Sequence, residues 1–404
     1  MKECPVVEFD MLDPDFARDP YETMAEWQAL GPVVYNSHHN QYLVTTHQAC
    51  TQVLSDTQYF NSANVQAEME KAFGGPTFLG IDGARHQRIR AIWAPGFERK
   101  AVEDRLAPQI QKIVDVHVDR FAERLRSGES LDAIAEMTRL IPTVFTAQIL
   151  GVEEGVHKDF IEWGAATGAV LNARLDSSPQ GQKIVAEGGA AVAALNAYIG
   201  SIIEKHRALG VSDETLMAQM AFDDFAPSMT DREMIANGTM LTLAANESTA
   251  QLMGLVLYAL ALHPDQRRAL VADRSLVPAA IEEVHRWLTI SQAVLRNACS
   301  DESEVEGFAI PNGSDVMNLL GCANRDPSRW EKPEAFDIFR PRRAHIGFSF
   351  GPHICLGIHV ARVEMRIWLN RLLDKLPEWE FAGDIEFSNN FTLRGLQGMP
   401  IRAA

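Results

Sequence analysis

The chain has 404 residues, of which 37 are Lys or Arg and 54 are Asp or Glu, so its formal net charge is −17. This negative balance disfavours a nucleic-acid partner, because binding to a phosphate backbone requires a cationic surface. The start of the chain carries acids and prolines in place of the basic residues and apolar run of a secretory signal. We therefore expect a cytoplasmic protein with neither a nucleic-acid nor a membrane partner.

Helical periodicity dominates the chain and predicts a mainly α fold with small β-sheets. The predicted helices, in chain order, cover residues 18–30, 99–127, 155–173, 179–209, 230–262 and 357–376. Two β-hairpins are predicted over residues 31–45 and 304–317, the second turned by Pro311, Asn312 and Gly313. Because the chain shows no internal repeat and no Ser/Gly-rich linker, we expect a single domain over residues 1–404.

The segment that starts at Thr230 is predicted to be an unusually long helix. It opens with a capping box, Thr230-Asp-Arg-Glu233, and runs to Pro264, about nine helical turns. Apolar residues lie nearly all round it, which is typical of a helix enclosed by others. Its middle is too polar for a lipid-facing span, since it holds Asn246, Glu247, Ser248, Thr249 and Gln251. Such residues, when buried, need partners or a chemical role.

The five cysteines are scattered and contain no CxxC pair, as expected for reduced thiols in a cytoplasm. Cys355 lies in the stretch FSFGPHICLG, residues 348–357, where two glycines and a proline shape a sharp turn before a predicted helix. The N–H groups at a helix N-terminus favour the thiolate form of a cysteine. With no disulfide partner and no evident His/Asn pair for a nucleophile, metal ligation is the functional alternative to a buried, inert thiol.

The stretch FSFGPHICLG resembles, position for position, the heme-binding signature of the cytochromes P450. The resemblance implies heme b as the cofactor, with Cys355 as the axial thiolate ligand of the iron, Phe348 beneath the loop and His353 at a heme propionate. It also implies the fold of that family, in which a long central helix passes over the heme and the cysteine loop lies beneath it. Thiolate ligation donates electron density that favours cleavage of the O–O bond.

Two further motifs are similar to those of the same family and imply a structural cluster. The stretch EEVHR supplies Glu283 and Arg286 on one helix face, and FDIFRP supplies Arg340. In the family such residues form a Glu-Arg-Arg cluster that holds the cysteine loop in place through bidentate hydrogen bonds. A solvated surface pair is the alternative for any lone ExxR motif.

The resemblance also implies a set of cations for the two heme propionates. His86 and Arg90 in GARHQRIR are four residues apart on one helical face, and Arg296 lies in AVLRNA where the family places a propionate contact. Buried carboxylates are badly destabilised without nearby cations, so these three residues and His353 make chemical sense together. Each of them taken alone is more typical of a protein surface than of a binding site.

The stretch LAANEST, residues 243–249, resembles the oxygen-activation segment of the family. The resemblance implies that Glu247 and a neighbouring hydroxyl, Ser248 or Thr249, relay protons to dioxygen. The sequence departs from the usual pattern, because glutamate replaces aspartate, serine stands where threonine is common, and Ala245 replaces a glycine. The alternative is a structural kink produced by hydrogen bonds from Ser and Thr to the helix backbone.

The candidate substrate pocket is apolar. One face of the long helix contributes Met240, Leu243 and Ala244. The variable loop of residues 59–79 adds Phe73, Phe78 and Leu79, and two residues from later in the chain complete the set, Val294 and Phe391. Plain core packing is the alternative for each. The stretches GCANRDPSRW and NNFTLRGL look like those of bacterial members that oxidise para-substituted aromatic acids, but no arginine stands on the predicted face to bind a carboxylate. We therefore expect a neutral, small to medium apolar substrate.

The resemblance implies a soluble, bacterial-type monooxygenase that inserts one oxygen atom of O₂ into a C–H bond, giving hydroxylation or oxidative O-demethylation. Electrons would come from NAD(P)H through a separate ferredoxin reductase and a ferredoxin. A docking surface is expected to use the cations Arg85, Arg88, Arg99, Lys100, Arg342 and Arg343; a merely solvated basic face is the alternative.

Two other functions remain open from the sequence. A peroxide-driven heme peroxygenase is disfavoured by the Glu247-Ser248 pair, because members that work in that way tend to replace the acid–alcohol pair. A non-enzymatic heme sensor or carrier would need no proton relay.

Overall fold

The computed structural model describes residues 2–173, 179–210, 215–222 and 229–404. Its backbone groups into two compact units, each assembled from segments that are distant in the sequence. The first unit comprises Met1–Asn61, Val102–Leu140 and Ser248–Ala404, and the second comprises Ser62–Ala101 and Ile141–Glu247. The single domain expected for residues 1–404 stays a prediction.

Helices make up most of the described chain, which confirms the predicted mainly α class. They are α1 (Pro14–Arg18), α2 (Tyr21–Leu30), α3 (His47–Ser55), α4 (Ala63–Phe73), α5 (Gly83–Phe97), α6 (Arg99–Ala101), α7 (Ala107–Arg126), α8 (Leu140–Leu150), α9 (His157–Ala173), α10 (Pro179–Leu209), α11 (Leu216–Ala221), α12 (Asp231–Leu262), α13 (Pro264–Ala272), α14 (Val277–Trp287), α15 (Leu320–Ala323) and α16 (Ile358–Lys375). Wider π-helical turns cover Val102–Leu106 and Ile134–Thr138, and tighter 3₁₀ turns cover Glu154–Val156, Arg274–Leu276 and Gly351–His353.

The strands of the described residues are short, and all of these lie in the first unit. They are β1 (Val6–Val7), β2 (Val33–Asn36), β3 (Gln41–Val44), β4 (Phe60–Asn61), β5 (Leu131–Asp132), β6 (Val294–Ala298), β7 (Glu304–Val305), β8 (Phe308–Ala309), β9 (Asp315–Asn318), β10 (Trp379–Phe381), β11 (Glu386–Phe387), β12 (Leu396–Gly398) and β13 (Pro400–Ala403). The largest sheet has the order β1-β2-β3-β9-β6-β4, and a second has the order β10-β13-β5. The remaining sheets described are the pairs β7-β8 and β11-β12.

The middle strands of the six-stranded sheet pack against core on both faces, since alternate residues of a strand point in opposite directions. Val33 of β2 packs into a cluster that includes Val53 and Leu54 of α3. The next residue, Val34, packs into a different cluster with Phe16 of α1 and Trp27 of α2. The sheet is therefore the layer that separates these two parts of the core.

The first predicted hairpin is confirmed, since β2 and β3 pair antiparallel from Val33–Val44 to Asn36–Gln41. The second prediction placed the turn wrongly. Strands β7 and β8 form the hairpin and turn at Glu306 and Gly307, which have φ values of 49° and 88°. Two residues with positive φ match the right-handed twist of a tight hairpin. The Pro311–Gly313 turn instead leads the chain into β9, which pairs with β3 and β6.

Helix α12 begins at the predicted capping box. The Glu233 amide donates to Thr230 Oγ1 at 3.3 Å, and the Thr230 amide donates to Glu233 Oε2 at 2.8 Å. These reciprocal bonds satisfy N–H groups that have no partner inside the helix. Residues Asp231–Glu247 of this helix belong to the second unit and Ser248–Leu262 to the first.

Helix α16 packs against α7, and ion pairs tie it to α7 and to the π-helical turn just before it. Arg371 reaches Asp115 at 3.1 Å and Asp119 at 2.5 Å, while Arg366 reaches Glu103 at 2.8 Å. These partly exposed pairs contribute little energy each. They orient the helix that follows the cysteine loop.

One described helix, Gly181–Leu209, is long and apolar enough to cross a membrane by length and composition. Core helices of water-soluble proteins meet the same criterion. This helix packs along α9 and carries exposed charged residues, including Lys183 paired with Glu187 and Lys205 paired with Glu153. We interpret it as a helix of the fold.

Candidate active site

The loop that carries Cys355 is bent by two residues with left-handed backbone. Ser349 has a φ of 64° and Gly351 a φ of 72°. At Gly351 the chain passes so close to the end of α3 that a Cβ there would overlap the carbonyl oxygen of Leu54. Glycine is thus required both by the dihedral angle and by the contact. The Cys355 amide donates to the carbonyl oxygen of Phe348 at 2.9 Å, which closes the loop.

The Cys355 side chain lies just before the first helical residue of α16, Ile358, and is partly exposed. Residues 356–359 are also partly exposed, whereas Val360 is buried. A Cβ at Gly357 would lie 4.0 Å from Cys355 Sγ, so the glycine leaves that flank of the sulfur without a side chain. None of the five cysteines forms a disulfide in the described chain. A thiol beside accessible apolar surface suits iron held in a flat organic ligand.

The Phe348 ring is enclosed by three polar side chains. His285 of α14 meets it edge-on with ring centroids 4.5 Å apart, and His345 stacks on it at 5.9 Å. The guanidinium of Arg362, on α16, lies 5.1 Å from the ring centroid, within the range of a cation–π contact. Burial lowers the pKa of His285 to about 3, so this side chain is neutral near pH 7. These contacts anchor the cysteine loop to α14 and α16.

Glu282 joins two neighbours of that ring. Its carboxylate accepts hydrogen bonds from Arg362 at 2.9 and 2.6 Å and lies 3.4 Å from His345 Nε2. Burial by itself raises the pKa of Glu282, but hydrogen bonds from His345 and Arg362 hold it well below its usual range. The sequence interpretation gave no role to these residues, although Glu282 and His285 stand inside the EEVHR motif that it used.

The predicted Glu-Arg-Arg cluster is assembled in the structure. Arg286 donates to both carboxylate oxygens of Glu283, at 2.8 and 2.7 Å, and Arg340 Nε donates to Glu283 Oε1 at 3.1 Å. Both arginines also donate to the carbonyl oxygen of Ala335, at 3.1 and 2.9 Å. Because Glu283 and Arg286 are buried, this is a structural network and differs from a solvated surface pair.

The four propionate candidates lie on a strand, on a helix and in the cysteine loop, in two different units. Arg296 lies on β6, is 5% exposed and donates to the carbonyl oxygen of Leu295 at 2.8 Å. His353 is partly buried in the cysteine loop of the same unit. His86 and Arg90 lie one turn apart on α5 of the second unit, and His86 is 2% exposed.

Accessibility changes abruptly along the middle of α12. Residues 241–243 are buried, Ala244 is exposed, residues 245–248 are partly exposed, and Thr249 is buried again at 6% exposure. The stretch thus includes Glu247 and Ser248 but leaves out Thr249. A break of this kind in an otherwise buried helix indicates open space beside it. Of the two candidate hydroxyls, the one on Ser248 is the more accessible.

The pocket candidates divide into accessible and buried residues. Leu79 is 37% exposed, whereas Phe73, Phe78 and Met240 are each less than 5% exposed. Among the others, Leu243 is buried and Val294 is partly buried.

Packing contacts support the core-packing alternative for two of these candidates. Phe391 belongs to a core cluster, where its ring centroid lies 4.6 Å from that of Phe16. Val294 packs against the core cluster that contains Val33, Val53 and Leu54. Ala244 and Leu79 are the most accessible members of the predicted set.

Comparisons with known proteins agree with this site. The family model described as Cytochrome P450 matches residues 28–388. The cytochrome P450 monooxygenase PikC of Streptomyces venezuelae is 31% identical over 98% of this chain and 94% of its own length. The vitamin D3 dihydroxylase of Streptomyces griseolus is 29% identical over 89% of this chain and 87% of its own.

Solved structures show the same similarity. Cytochrome P450 CYP109Q5 from Chondromyces apiculatus matches with a TM-score of 0.85 and 29% identity over 98% of both chains. The family model covers most of the sequence, and the relatives match nearly all of it. The chain therefore belongs to the cytochrome P450 family, and it is a monooxygenase that carries heme b and incorporates oxygen from O₂.

Proposed function

We propose that Cys355 is the axial thiolate ligand of the heme iron in a monooxygenase that oxidises a neutral, largely apolar compound. The observation that carries the proposal is the partly exposed thiol on a loop whose path is fixed by Gly351 and by the Cys355–Phe348 hydrogen bond. When bound, a thiolate-ligated heme supplies the reductive activation of O₂ that allows one oxygen atom to enter a C–H bond.

The heme propionates are proposed to be held by the four residues that the sequence predicts for this role, His86, Arg90, Arg296 and His353. Arg296 and His86 are both nearly buried, at 5% and 2% exposure. Propionates are carboxylates, and a carboxylate next to a buried guanidinium is a favourable ion pair when hydrogen bonds accompany it, so Arg296 has the chemistry for this role.

Proton delivery is proposed to involve Glu247 and Ser248. Both side chains lie in the accessible stretch of α12, whereas Thr249 is buried. A glutamate has the reach to exchange protons with water and pass them to a hydroxyl one residue away. This proposal assigns Ser248, and not Thr249, as the relay hydroxyl.

The substrate is proposed to be a neutral, small to medium apolar compound that undergoes hydroxylation or oxidative O-demethylation. Two relatives support an apolar substrate. One is the vitamin D3 dihydroxylase, and the other is CYP109E1 from Bacillus megaterium, which is 25% identical and was solved in complex with testosterone. Ala244, which is exposed in the middle of α12, offers an apolar surface for such a ligand.

Electrons are proposed to come from NAD(P)H through a ferredoxin reductase and a ferredoxin in the cytoplasm. Arg342 and Arg343 are exposed in the segment that leads into the cysteine loop and are the best candidates for docking in the first unit. Arg85 is a weaker candidate than Arg342 and Arg343, because it forms an ion pair with the buried Glu233.

The ligation of iron by Cys355 can be tested by absorption spectroscopy. The reduced protein under carbon monoxide should show the strongly red-shifted Soret band of a thiolate-ligated heme. Cys355→His should keep heme, measured as its pyridine complex, but lose that band. Cys299→Ser, which changes an exposed cysteine, should keep the band. A red-shifted band in Cys355→His, or its absence in the unmodified protein, would overturn the proposal.

A further inference from the structure

The loop between α4 and α5, residues 74–82, is attached to α12 through its backbone. Arg232 Nε donates to the carbonyl oxygen of Gly74 at 2.6 Å. At Gly75 the chain comes so close that a Cβ would lie 2.9 Å from the Arg232 carbonyl oxygen. This part of the loop is therefore in direct contact with the helix backbone, with room for a glycine and nothing larger.

Asn237 provides the central attachment. Its side chain is completely buried, and its Oδ1 accepts the amide N–H of Phe78 at 3.0 Å. Its Nδ2 donates to the carbonyl oxygen of Pro76 at 3.3 Å and to that of Glu233 at 2.7 Å. One amide side chain thus satisfies two backbone groups of the loop and one of its own helix. If the loop and the helix separated here, these buried polar groups would lose their hydrogen bonds, which costs free energy.

The residue that Asn237 fixes touches a proposed heme-binding helix. The Phe78 ring lies 5.5 Å from the Trp93 ring and 6.2 Å from the His86 ring, both on α5. Asn237 also lies on the same face of α12 as Met240 and Ala244, at helical spacings of three and seven. The neighbouring loop residue, Leu79, is 37% exposed.

We propose that Asn237 is a positioning residue that sets one boundary of the substrate pocket by fixing the backbone of Phe78. The proposal rests on the proposed function, because the pocket is assigned through it. It predicts that ligands of different size respond differently when Asn237 is lost. Sequence reasoning passed over this residue, although a lone amide in an apolar stretch of helix was a usable signal.

The experiment compares Asn237→Leu, which keeps the volume, with the control Thr242→Val. Thr242 is also buried in α12, but its hydroxyl bonds to Gly238 of its own helix and not to the loop. Hydrogen–deuterium exchange of residues 74–82 should accelerate about 10-fold or more in Asn237→Leu. It should stay unchanged in Thr242→Val.

The second measurement uses imidazole and 4-phenylimidazole as heme-ligating probes of different size. The ratio of their dissociation constants, from the Soret shift, should change at least about 5-fold in Asn237→Leu and not in the control. Gly75→Ala provides an independent variant, since its Cβ would press against the Arg232 carbonyl oxygen and loosen the same attachment. Gly75→Ala should accelerate the exchange of residues 74–82 and change the ratio of the two dissociation constants, as Asn237→Leu does.

Unchanged exchange in both variants would overturn the claim that Asn237 holds the loop. Faster exchange with an unchanged ratio would overturn the claim that the loop bounds the pocket. Failure of the proposed function would give another result. The unmodified protein would then lack the red-shifted Soret band under carbon monoxide.

Discussion

Glu364 on α16 is a carboxyl group for which burial decides the charge. It is 2% exposed, and its Oε1 has no hydrogen-bond partner among the described residues. Burial raises its pKa from 4.5 to about 8, so the native protein keeps the proton at pH 7. The unfolded chain releases this proton above about pH 4.5. Stability is therefore lost as the pH rises between these two values, by on the order of 1 kcal/mol per pH unit.

Glu364→Gln should remove this dependence, because an amide has no proton to release. The variant is expected to gain stability relative to the unmodified protein as the pH rises from 5 to 8. Thermal unfolding at pH 5, 6.5 and 8, followed by circular dichroism, measures the difference. Glu380→Gln, at an exposed carboxylate paired with Arg402, serves as control. Parallel pH curves for Glu364→Gln and the unmodified protein would contradict the assignment of a neutral carboxyl group.

Single residues with a motif around them were predictable, and those without one were not. Cys355, Glu283 and Arg340 stand in recognisable stretches, and the structure brings the last two together as expected. Glu364 and Asn237 acquire their roles from the helices that bury them, which no local pattern encodes. The same holds for Phe391, whose core packing depends on the distant α1.

At the level of elements, the cysteine loop depends on the end of α3. Gly351 combines a positive φ with a position against the carbonyl oxygen of Leu54. Gly313, in the turn before β9, has a similar φ of 83°, but a Cβ at that position would meet no atom within 4 Å. Substituting each glycine by alanine therefore distinguishes the cost of the positive φ, which both positions share, from the cost of the contact with Leu54, which only Gly351 makes.

Gly313→Ala should cost about 1 kcal/mol, the penalty of left-handed backbone alone. Gly351→Ala should cost about 3 kcal/mol, because the loop or α3 must also shift. Thermal unfolding gives both values, and the carbon monoxide band should weaken for Gly351→Ala alone. Equal losses would show that the contact with Leu54 contributes nothing.

Elements with strong local signals were predicted and others were not. The capping box located the start of α12 because Thr230 and Glu233 interact across a single helical turn. The hairpin turn at Glu306 and Gly307 was missed because Pro-Asn-Gly a few residues later is the stronger turn signal. Helix α8 gave no periodic pattern, since its sequence LIPTVFTAQIL is apolar on most sides.

For the whole molecule, a net charge of −17 would oppose the approach of an acidic ferredoxin, the electron donor proposed above. Docking must then use a local group of cations, for which Arg342 and Arg343 are the proposed residues. Attraction between exposed charges is screened by salt over a distance of about 10 Å at 0.1 M. The rate of electron transfer should therefore fall as salt is added.

Replacing Arg342 and Arg343 by glutamate should slow reduction by ferredoxin about 10-fold at low salt and flatten the salt dependence. Stopped-flow formation of the carbon monoxide complex measures the rate. Lys158→Glu with Lys183→Glu makes the same change of net charge at two exposed lysines of the second unit. If both double variants slow reduction equally, overall charge and not this pair governs docking.

The family and the chemistry of the whole chain could be predicted from six short stretches of sequence, because heme binding demands specific residues. The identity of the substrate was not, since pocket shape depends on which apolar residues are buried by distant segments. The two-unit grouping of the backbone was also not predicted, because neither unit is continuous in the sequence.

Glu233 makes one local and one long-range contact, which bears on the order in which this chain folds. One oxygen of its carboxylate closes the capping box with Thr230, three positions away, and the other pairs with Arg85, 148 positions away. Contacts between neighbours form early, while contacts across long stretches of chain wait for larger assembly. The capping box can therefore form before the long-range contact, and the same carboxylate is then already oriented for Arg85 when α5 arrives.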